Sequence, residues 1–101
     1  CKKTIPITFG YETYGRLNAA GDNAILVCQY FTGHGHAAGR YSESDAAPGW
    51  WDTLIGPGKV IDTEKYFVVC SDCISNINYN SQTVITTGPA SINPEPANPT
   101  A

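Results

Sequence analysis

Two continuous apolar runs constrain the fold of this 101-residue chain more than any other feature. The first, AILVCQYF, spans residues 24–31, and the second, YFVVCSD, spans residues 66–72. Apolar runs without polar alternation are typical of strands covered on both faces, as in parallel sheets. The segment between them is long enough for a crossover, so we expect the two strands to pair in parallel. Covering such a sheet takes helices on each side, and this chain offers barely one, so we expect an incomplete α/β fold.

A third strand is predicted near the beginning of the chain. Residues 5–14, IPITFGYETY, alternate in the manner of a half-buried strand. The face predicted to be apolar carries Ile5, Ile7, Phe9 and Tyr11. A glycine within a strand, here Gly10, is typical of a bulge or of a close approach by another backbone segment.

The rest of the chain predicts a short helix and long loops. Residues 32–49 are rich in small residues, and loops of this length are usually functional or disordered. Residues 50–55, WWDTLI, predict a short helix that residues 56–58, GPG, would end. We interpret residues 1–101 as part of a single domain, with an irregular Pro-rich tail over residues 85–101.

Composition excludes two classes of partner. The net charge is −3, and the six Lys and Arg residues form no basic stripe, so we expect no nucleic-acid partner. No apolar run approaches the roughly 20 residues of a membrane helix, so we expect no membrane partner. Charged residues make up only 15% of the chain, which indicates that other protein covers part of its surface.

The four cysteines favour reduced thiols and a cytoplasmic protein over disulfides. Cys28 and Cys70 lie inside the two apolar runs and are expected to be small buried side chains. A zinc site of His34 and His36 with Cys70 and Cys73 is the alternative, but the chain has no second CxxC pair and we expect no metal. His34 is expected to be a solvated loop residue and His36 a structural, hydrogen-bonding one.

The segment FTGHGH, residues 31–36, follows the first apolar run directly. Sites in open α/β sheets form at the carboxyl ends of strands, and small residues there let backbone N–H groups point into a cleft, as an oxyanion hole requires. A flexible surface turn is the alternative. No G-x-S-x-G sequence is present, so local patterns identify no nucleophile.

Longer stretches of the chain are more specific than any of these short patterns. The stretches are YETYGRLN (11–18), NAILVC (23–28), FTGHGHAAG (31–39), PGWWDTLIGPGKVIDTEKYFVVCSD (48–72) and TGPASINP (87–94). In this order they resemble the N-terminal part of the homoserine O-acetyltransferase family, acyltransferases of the α/β-hydrolase fold. The resemblance implies an N-terminal fragment of one such domain, with a mostly parallel sheet.

The resemblance also implies a function and a site. Family members use a Ser-His-Asp triad to move acetyl from acetyl-CoA to the hydroxyl of L-homoserine, a step in methionine biosynthesis, and the triad positions lie outside these 101 residues. Acetyl-CoA is then a co-substrate, no cofactor is needed, and the full-length protein is expected to form a homodimer. The backbone N–H of Phe31 is the expected oxyanion donor, and Thr32 and Gly33 complete the substrate-pocket loop.

Two departures from the family leave the acyl acceptor open. Residues 73–81, CISNINYNS, contain no glycine where family members often have a glycine-rich stretch. Gln29 stands where His is common. The alternatives are an α/β-hydrolase esterase, in which water is the acceptor, and a non-catalytic module that keeps the fold. The 101 residues alone are expected to be catalytically inactive.

Overall fold

The fold is that of a computed structural model, which describes residues 3–88. It contains five strands: β1 (Tyr11–Tyr14), β2 (Ala24–Val27), β3 (Ile55–Gly56), β4 (Ile61–Asp62) and β5 (Phe67–Ser71). Residues 89–101 lie outside the described residues, and with them most of the predicted Pro-rich tail. No helix within residues 3–88 has the length and apolarity needed to cross a bilayer.

The main sheet has three strands in the order β1-β5-β2. β2 pairs with β5 in parallel, with Val27 opposite Cys70, which confirms the prediction from the two apolar runs. β1 pairs with β5 antiparallel, with Glu12 opposite Cys70. A separate two-residue parallel ladder joins β3 to β4. The parallel pair therefore brings the carboxyl ends of β2 and β5 to one edge.

One face of the sheet carries the core. The buried cluster comprises Val27, Ala37, Ala38, Ile55, Val68 and Cys70. Three of its members come from β2 and β5, and the loop after β2 supplies the two alanines. The prediction that both faces of β2 are covered is wrong within residues 3–88, because Leu26, on the opposite face, is 69% exposed.

Two predicted elements differ in the structure. The short helix at 50–55 is wrong: the segment is a single turn in which the Ile55 N–H donates to the Trp51 carbonyl, and the chain then enters β3. A proline at position 57 disfavours helix at the residue before it, which limits the turn to this length. The first strand begins only at Tyr11, and the residues predicted to be its apolar face are 43–68% exposed. The half-buried positions of β1 are instead Glu12 and Tyr14.

Gly10 confirms the predicted close approach. A Cβ atom there would lie 2.9 Å from a carboxylate oxygen of Asp72 and 3.1 Å from Ile85 Cβ. The Gly10 N–H donates to the Ile85 carbonyl, and its own carbonyl accepts from the Asp72 N–H, both at 2.8 Å. The segment before β1 is thereby fixed beside the carboxyl end of β5.

Candidate active site

The residues assigned to the oxyanion loop form a tight turn just after β2. The Gly33 N–H donates to the Tyr30 carbonyl at 2.8 Å, which closes a four-residue turn with Phe31 and Thr32 at its centre. Ser75 is the only non-glycine residue with a positive φ within residues 3–88, so both central residues have the negative φ of an ordinary β-turn. Gly33 is buried, whereas Phe31 is 94% exposed.

This turn leaves the Phe31 amide without an internal partner. A β-turn uses the N–H of its fourth residue, and within residues 3–88 the Phe31 N–H donates no hydrogen bond. The peptide between Tyr30 and Phe31 is trans, so its N–H points away from its carbonyl oxygen. Because that oxygen faces the Gly33 N–H, the Phe31 N–H points out of the turn. A free amide of this kind suits an oxyanion hole, although the role itself stays a prediction.

Two asparagines hold the far side of the turn. Asn78 Nδ2 donates to the carbonyls of Thr32 at 2.9 Å and Gly33 at 3.1 Å, and Asn76 Nδ2 donates to Gly33 at 3.0 Å. Asn76 is only 3% exposed. The sequence shows that residues 73–81 lack glycine, but no local pattern in it indicates a contact for either asparagine.

Asp72, at the carboxyl end of β5, anchors the next part of the loop. It is 5% exposed, and its Oδ1 accepts from the Gly35 N–H at 2.7 Å. Its Oδ2 accepts from the Ile85 N–H at 2.9 Å. Both carboxylate oxygens are occupied by backbone donors, so Asp72 is a structural acceptor here. The position of this carboxylate directly after an apolar run was the sequence feature from which Asp72 could have been predicted.

The Glu12 carboxylate makes hydrogen bonds with three side chains. Its Oε1 accepts from the Tyr14 hydroxyl at 3.0 Å and lies 2.9 Å from His36 Nδ1, and its Oε2 accepts from the Tyr41 hydroxyl. The Tyr41 ring stacks on His36, with centroids 4.0 Å apart. The Tyr14 hydroxyl also accepts from the amides of Ala37 and Ala38 at 2.9 and 3.1 Å. We call these four side chains the Glu12 cluster.

The Glu12 cluster is structural rather than catalytic. His36 Nε2 is buried and has no hydrogen-bond partner within the described residues, so it cannot reach a substrate as a general base. This confirms the structural role predicted for His36, whereas His34 is half-buried rather than fully solvated. Burial, followed by the neighbouring carboxylate, raises the pKa of Tyr14 to about 12. The pKa of Tyr41 is also raised, by burial and then by its hydrogen bond to Glu12.

The buried Cys70 is not suited to act as a nucleophile. Burial raises the pKa of the Cys70 thiol to about 11, and the carboxylates of Glu12 and Asp72 add to the shift, so the reactive thiolate is disfavoured. Cys28 and Cys73 are free and exposed, so the predicted burial of Cys28 is wrong. Residues 3–88 bring no three His, Cys, Asp or Glu side chains together in a way that could hold a metal ion.

An open cleft of about 410 Å³ lies at the carboxyl ends of β2 and β5. Its walls come from β2, from β5, from the segments that follow them and from Phe9, which precedes β1. The lining residues are Phe9, Leu26, Val27, Cys28, Gln29, Ser71, Asp72, Cys73 and Ile74. The cleft lies at the end of the parallel pair where sites form in open α/β sheets. The lining includes Gln29 but not the nearby loop residues Phe31, Thr32 and Gly33.

Similar proteins share most of this segment. A homoserine O-acetyltransferase of Geobacter sulfurreducens is 56% identical over 90 residues, which are 89% of this chain and 23% of that protein. The X-ray structure of homoserine O-acetyltransferase from Bacillus anthracis superposes with a TM-score of 0.86 at 55% identity, covering 93% of this chain and 25% of that one. The crystal structure of esterase E22 superposes with a TM-score of 0.84 at 53% identity, covering 87% and 24%. No protein-family model matches the chain.

The sheet order, the parallel β2–β5 pair and these superpositions define part of an α/β-hydrolase fold. Over about nine-tenths of its length, the chain is 55 and 56% identical to these two homoserine O-acetyltransferases. It spans about a quarter of the length of the relatives that it matches.

Proposed function

We propose that this chain is the oxyanion-loop portion of an O-acyltransferase that moves acetyl from acetyl-CoA to L-homoserine. The observation that supports it most is the 56% identity to a homoserine O-acetyltransferase along 89% of the chain. The outward Phe31 amide, at the carboxyl end of the parallel pair, agrees with this assignment. Its partner donor and the Ser-His-Asp triad belong to sequence outside these 101 residues in this proposal.

The proposed reaction has two steps that share one oxyanion. The serine oxygen attacks the thioester carbonyl, the C–S bond breaks, and CoA leaves as a thiol with the proton from the serine. The homoserine hydroxyl then attacks the acyl-serine carbonyl, the bond from that carbonyl to the serine oxygen breaks, and the serine recovers the proton that the homoserine hydroxyl loses. Negative charge develops on the same carbonyl oxygen in both steps, and the Phe31 N–H donates to it. Acetyl-CoA and L-homoserine are thus the proposed small-molecule partners, in a cytoplasmic and homodimeric protein.

An esterase is the second candidate, and a specific observation favours it. Esterase E22 is 53% identical over 87% of the chain, so this segment is compatible with hydrolysis as well as transfer. The difference lies in the second step, in which water replaces the acceptor hydroxyl. Both candidates use the same oxyanion donor.

One assay separates the two candidates. The full-length protein is incubated with acetyl-CoA, with and without L-homoserine, and free CoA thiol and O-acetylhomoserine are measured. We expect thiol release to depend on homoserine and to match the O-acetylhomoserine formed. Release that homoserine leaves unchanged, with acetate as the product, would favour the esterase instead. The 101-residue chain alone is expected to release no thiol, since the proposed triad belongs to sequence outside it.

A further inference from the structure

Residues 73–81 make direct contact with the oxyanion loop through two asparagine side chains. Asn76 and Asn78 reach across 43–46 positions of sequence to the carbonyls of Thr32 and Gly33. These carbonyls belong to the two residues that directly follow Phe31 in the chain. Each is held by a neutral amide donor at 2.9–3.1 Å, an ordinary hydrogen-bond distance.

The Asn76 side chain is itself held in place. Its Oδ1 accepts from the Asn78 N–H at 2.8 Å, and the Asn76 N–H donates to Thr86 Oγ1 at 3.1 Å. With its oxygen engaged by a backbone amide, the Asn76 carboxamide must turn its nitrogen toward Gly33. Asn76 is also almost completely buried. The Asn76 donor is therefore oriented before any substrate binds, and the same side chain holds the backbone of Asn78.

The contacts continue through the turn to the Phe31 amide. Each peptide group is planar, so a donor that fixes the Thr32 carbonyl also fixes the Gly33 N–H in the same plane. The Gly33 N–H fixes the Tyr30 carbonyl, and the Tyr30 carbonyl lies in the same plane as the Phe31 N–H. The Phe31 side chain is 94% exposed and cannot hold the turn itself. The direction of the Phe31 N–H thus depends on the asparagines.

We propose that Asn76 and Asn78 are positioning residues that aim the Phe31 amide at the oxyanion. The proposal rests on the proposed acyl-transfer function and applies equally to the esterase, because both reactions form the oxyanion. It assigns a role to residues 73–81, a segment that contains no glycine. Neither asparagine is proposed to touch the substrate.

The test compares substitutions at Asn78 with matched ones at Asn80 in the full-length protein. Asn78→Ala removes the two hydrogen bonds that Asn78 Nδ2 donates to the carbonyls of Thr32 and Gly33. Asn78→Asp removes them too and places a negative charge against the two carbonyl oxygens. Asn80 is an exposed asparagine in the same segment whose side chain makes no hydrogen bond within residues 3–88, so Asn80→Ala and Asn80→Asp are the controls.

We expect a loss in kcat without a loss in substrate binding. A displaced donor of this kind lowers rates by up to about 100-fold. Asn78→Ala is expected to lower kcat about 10-fold and Asn78→Asp about 100-fold, with the KM for acetyl-CoA unchanged, since only the transition state is affected. Both Asn80 variants are expected to keep the kcat of the unsubstituted protein. Amide hydrogen exchange at Gly33 is expected to be faster in Asn78→Ala, which gives a readout that does not depend on activity.

Each other outcome overturns a defined part of the argument. An unsubstituted protein that acts on neither acetyl-CoA nor an activated acetate ester overturns the proposed function and this proposal with it. An active protein in which the Asn78 and Asn80 variants share one kcat overturns the positioning role alone. A higher KM at constant kcat does the same, because it would place Asn78 against the substrate. If Asn78→Asp does not fold, Asn78→Ala and the Gly33 exchange rate decide the question.

Discussion

The two halves of the segment that follows β2 differ sharply in how they are held. Residues 34–41 are fixed to the sheet by Asp72 and by the Glu12 cluster, and Ala37 and Ala38 are 0 and 5% exposed. Residues 28–32 are mostly exposed, and they contact the rest of the fold through the Tyr30 ring, which packs edge-on against Trp50, and through the Thr32 carbonyl, which accepts from Asn78. An anchored half thus lets the neighbouring half present unpaired backbone groups.

The largest expected effect comes from removing one backbone donor in the exposed half. Proline fits the second position of an ordinary β-turn and has no N–H, so Phe31→Pro keeps the turn and removes the donor. We expect kcat with acetyl-CoA to fall about 100–1,000-fold in the full-length protein. Phe31→Leu is the control and is expected to keep kcat, because it leaves the backbone unchanged. A folded Phe31→Pro variant with full kcat would exclude Phe31 as the donor.

The next largest effect is on stability, in the anchored half. Asp72→Ala leaves the buried Gly35 N–H without its acceptor and also releases Ile85. A hydrogen bond to a charged group contributes about 1.5–3 kcal/mol, so we expect loss of the buried Gly35 bond alone to lower the free energy of unfolding by about 1.5–3 kcal/mol. Urea unfolding measures this loss, and amide exchange at Gly35 localises it. Asp22→Ala, at an exposed carboxylate, is the control and is expected to cost less than about 0.5 kcal/mol.

The smallest effect is a pH dependence of the anchored half. The pKa of Tyr14 is raised from 10 to about 12 in the fold, and the pKa of Tyr41 is raised in the same direction. Above pH 10 the unfolded chain releases these protons while the folded chain keeps them, so stability is complete below pH 10 and is lost as the pH rises toward 12. The raised pKa of Cys70 acts in the same sense from pH 9 to about 11.

Urea unfolding between pH 9 and 12 measures this effect. We expect the loss of stability to be shallower in Tyr41→Phe, which removes one of these protons without disturbing the backbone amides that Tyr14 holds. Tyr79→Phe, at an exposed side chain, is the matched substitution. Equal slopes for the two variants would show that the Glu12 cluster does not retain the Tyr41 proton.

The sequence predicted the parallel pair well but the surrounding layers poorly. The apolar runs at 24–31 and 66–72 predicted this pair directly, because strands of a parallel sheet are apolar along nearly their whole length. The inward face of β1 had no such signal, since it consists of Glu12 and Tyr14, which are stabilised by hydrogen bonds rather than by apolar contact. The apolar alternation of residues 5–11 therefore predicted the wrong buried face for β1. It also predicted that the strand begins at residue 5, whereas β1 begins at Tyr11.

The oxyanion role of Phe31 stays a prediction, but the features that led to it can be named. The position of Phe31 after an apolar strand, together with the family resemblance, was enough to nominate its amide. Asn76 and Asn78 could not be nominated, because a side chain that donates to a carbonyl 43 or more positions away leaves no periodic pattern. Their contacts depend on how the segment after β5 folds back over the loop, which only the three-dimensional structure supplies.

The exposed Phe31 side chain and its outward amide belong to one residue but face different demands. Every residue type except proline has a backbone N–H. A substitution at position 31 can therefore change the shape and hydrophobicity of the surface around it while the proposed oxyanion donor is kept. Under the proposed function, an acyltransferase and an esterase can then use different acceptors, a hydroxyl or water, with the same backbone donor. That both a transferase and an esterase match this segment at nearly the same identity accords with such a division of labour.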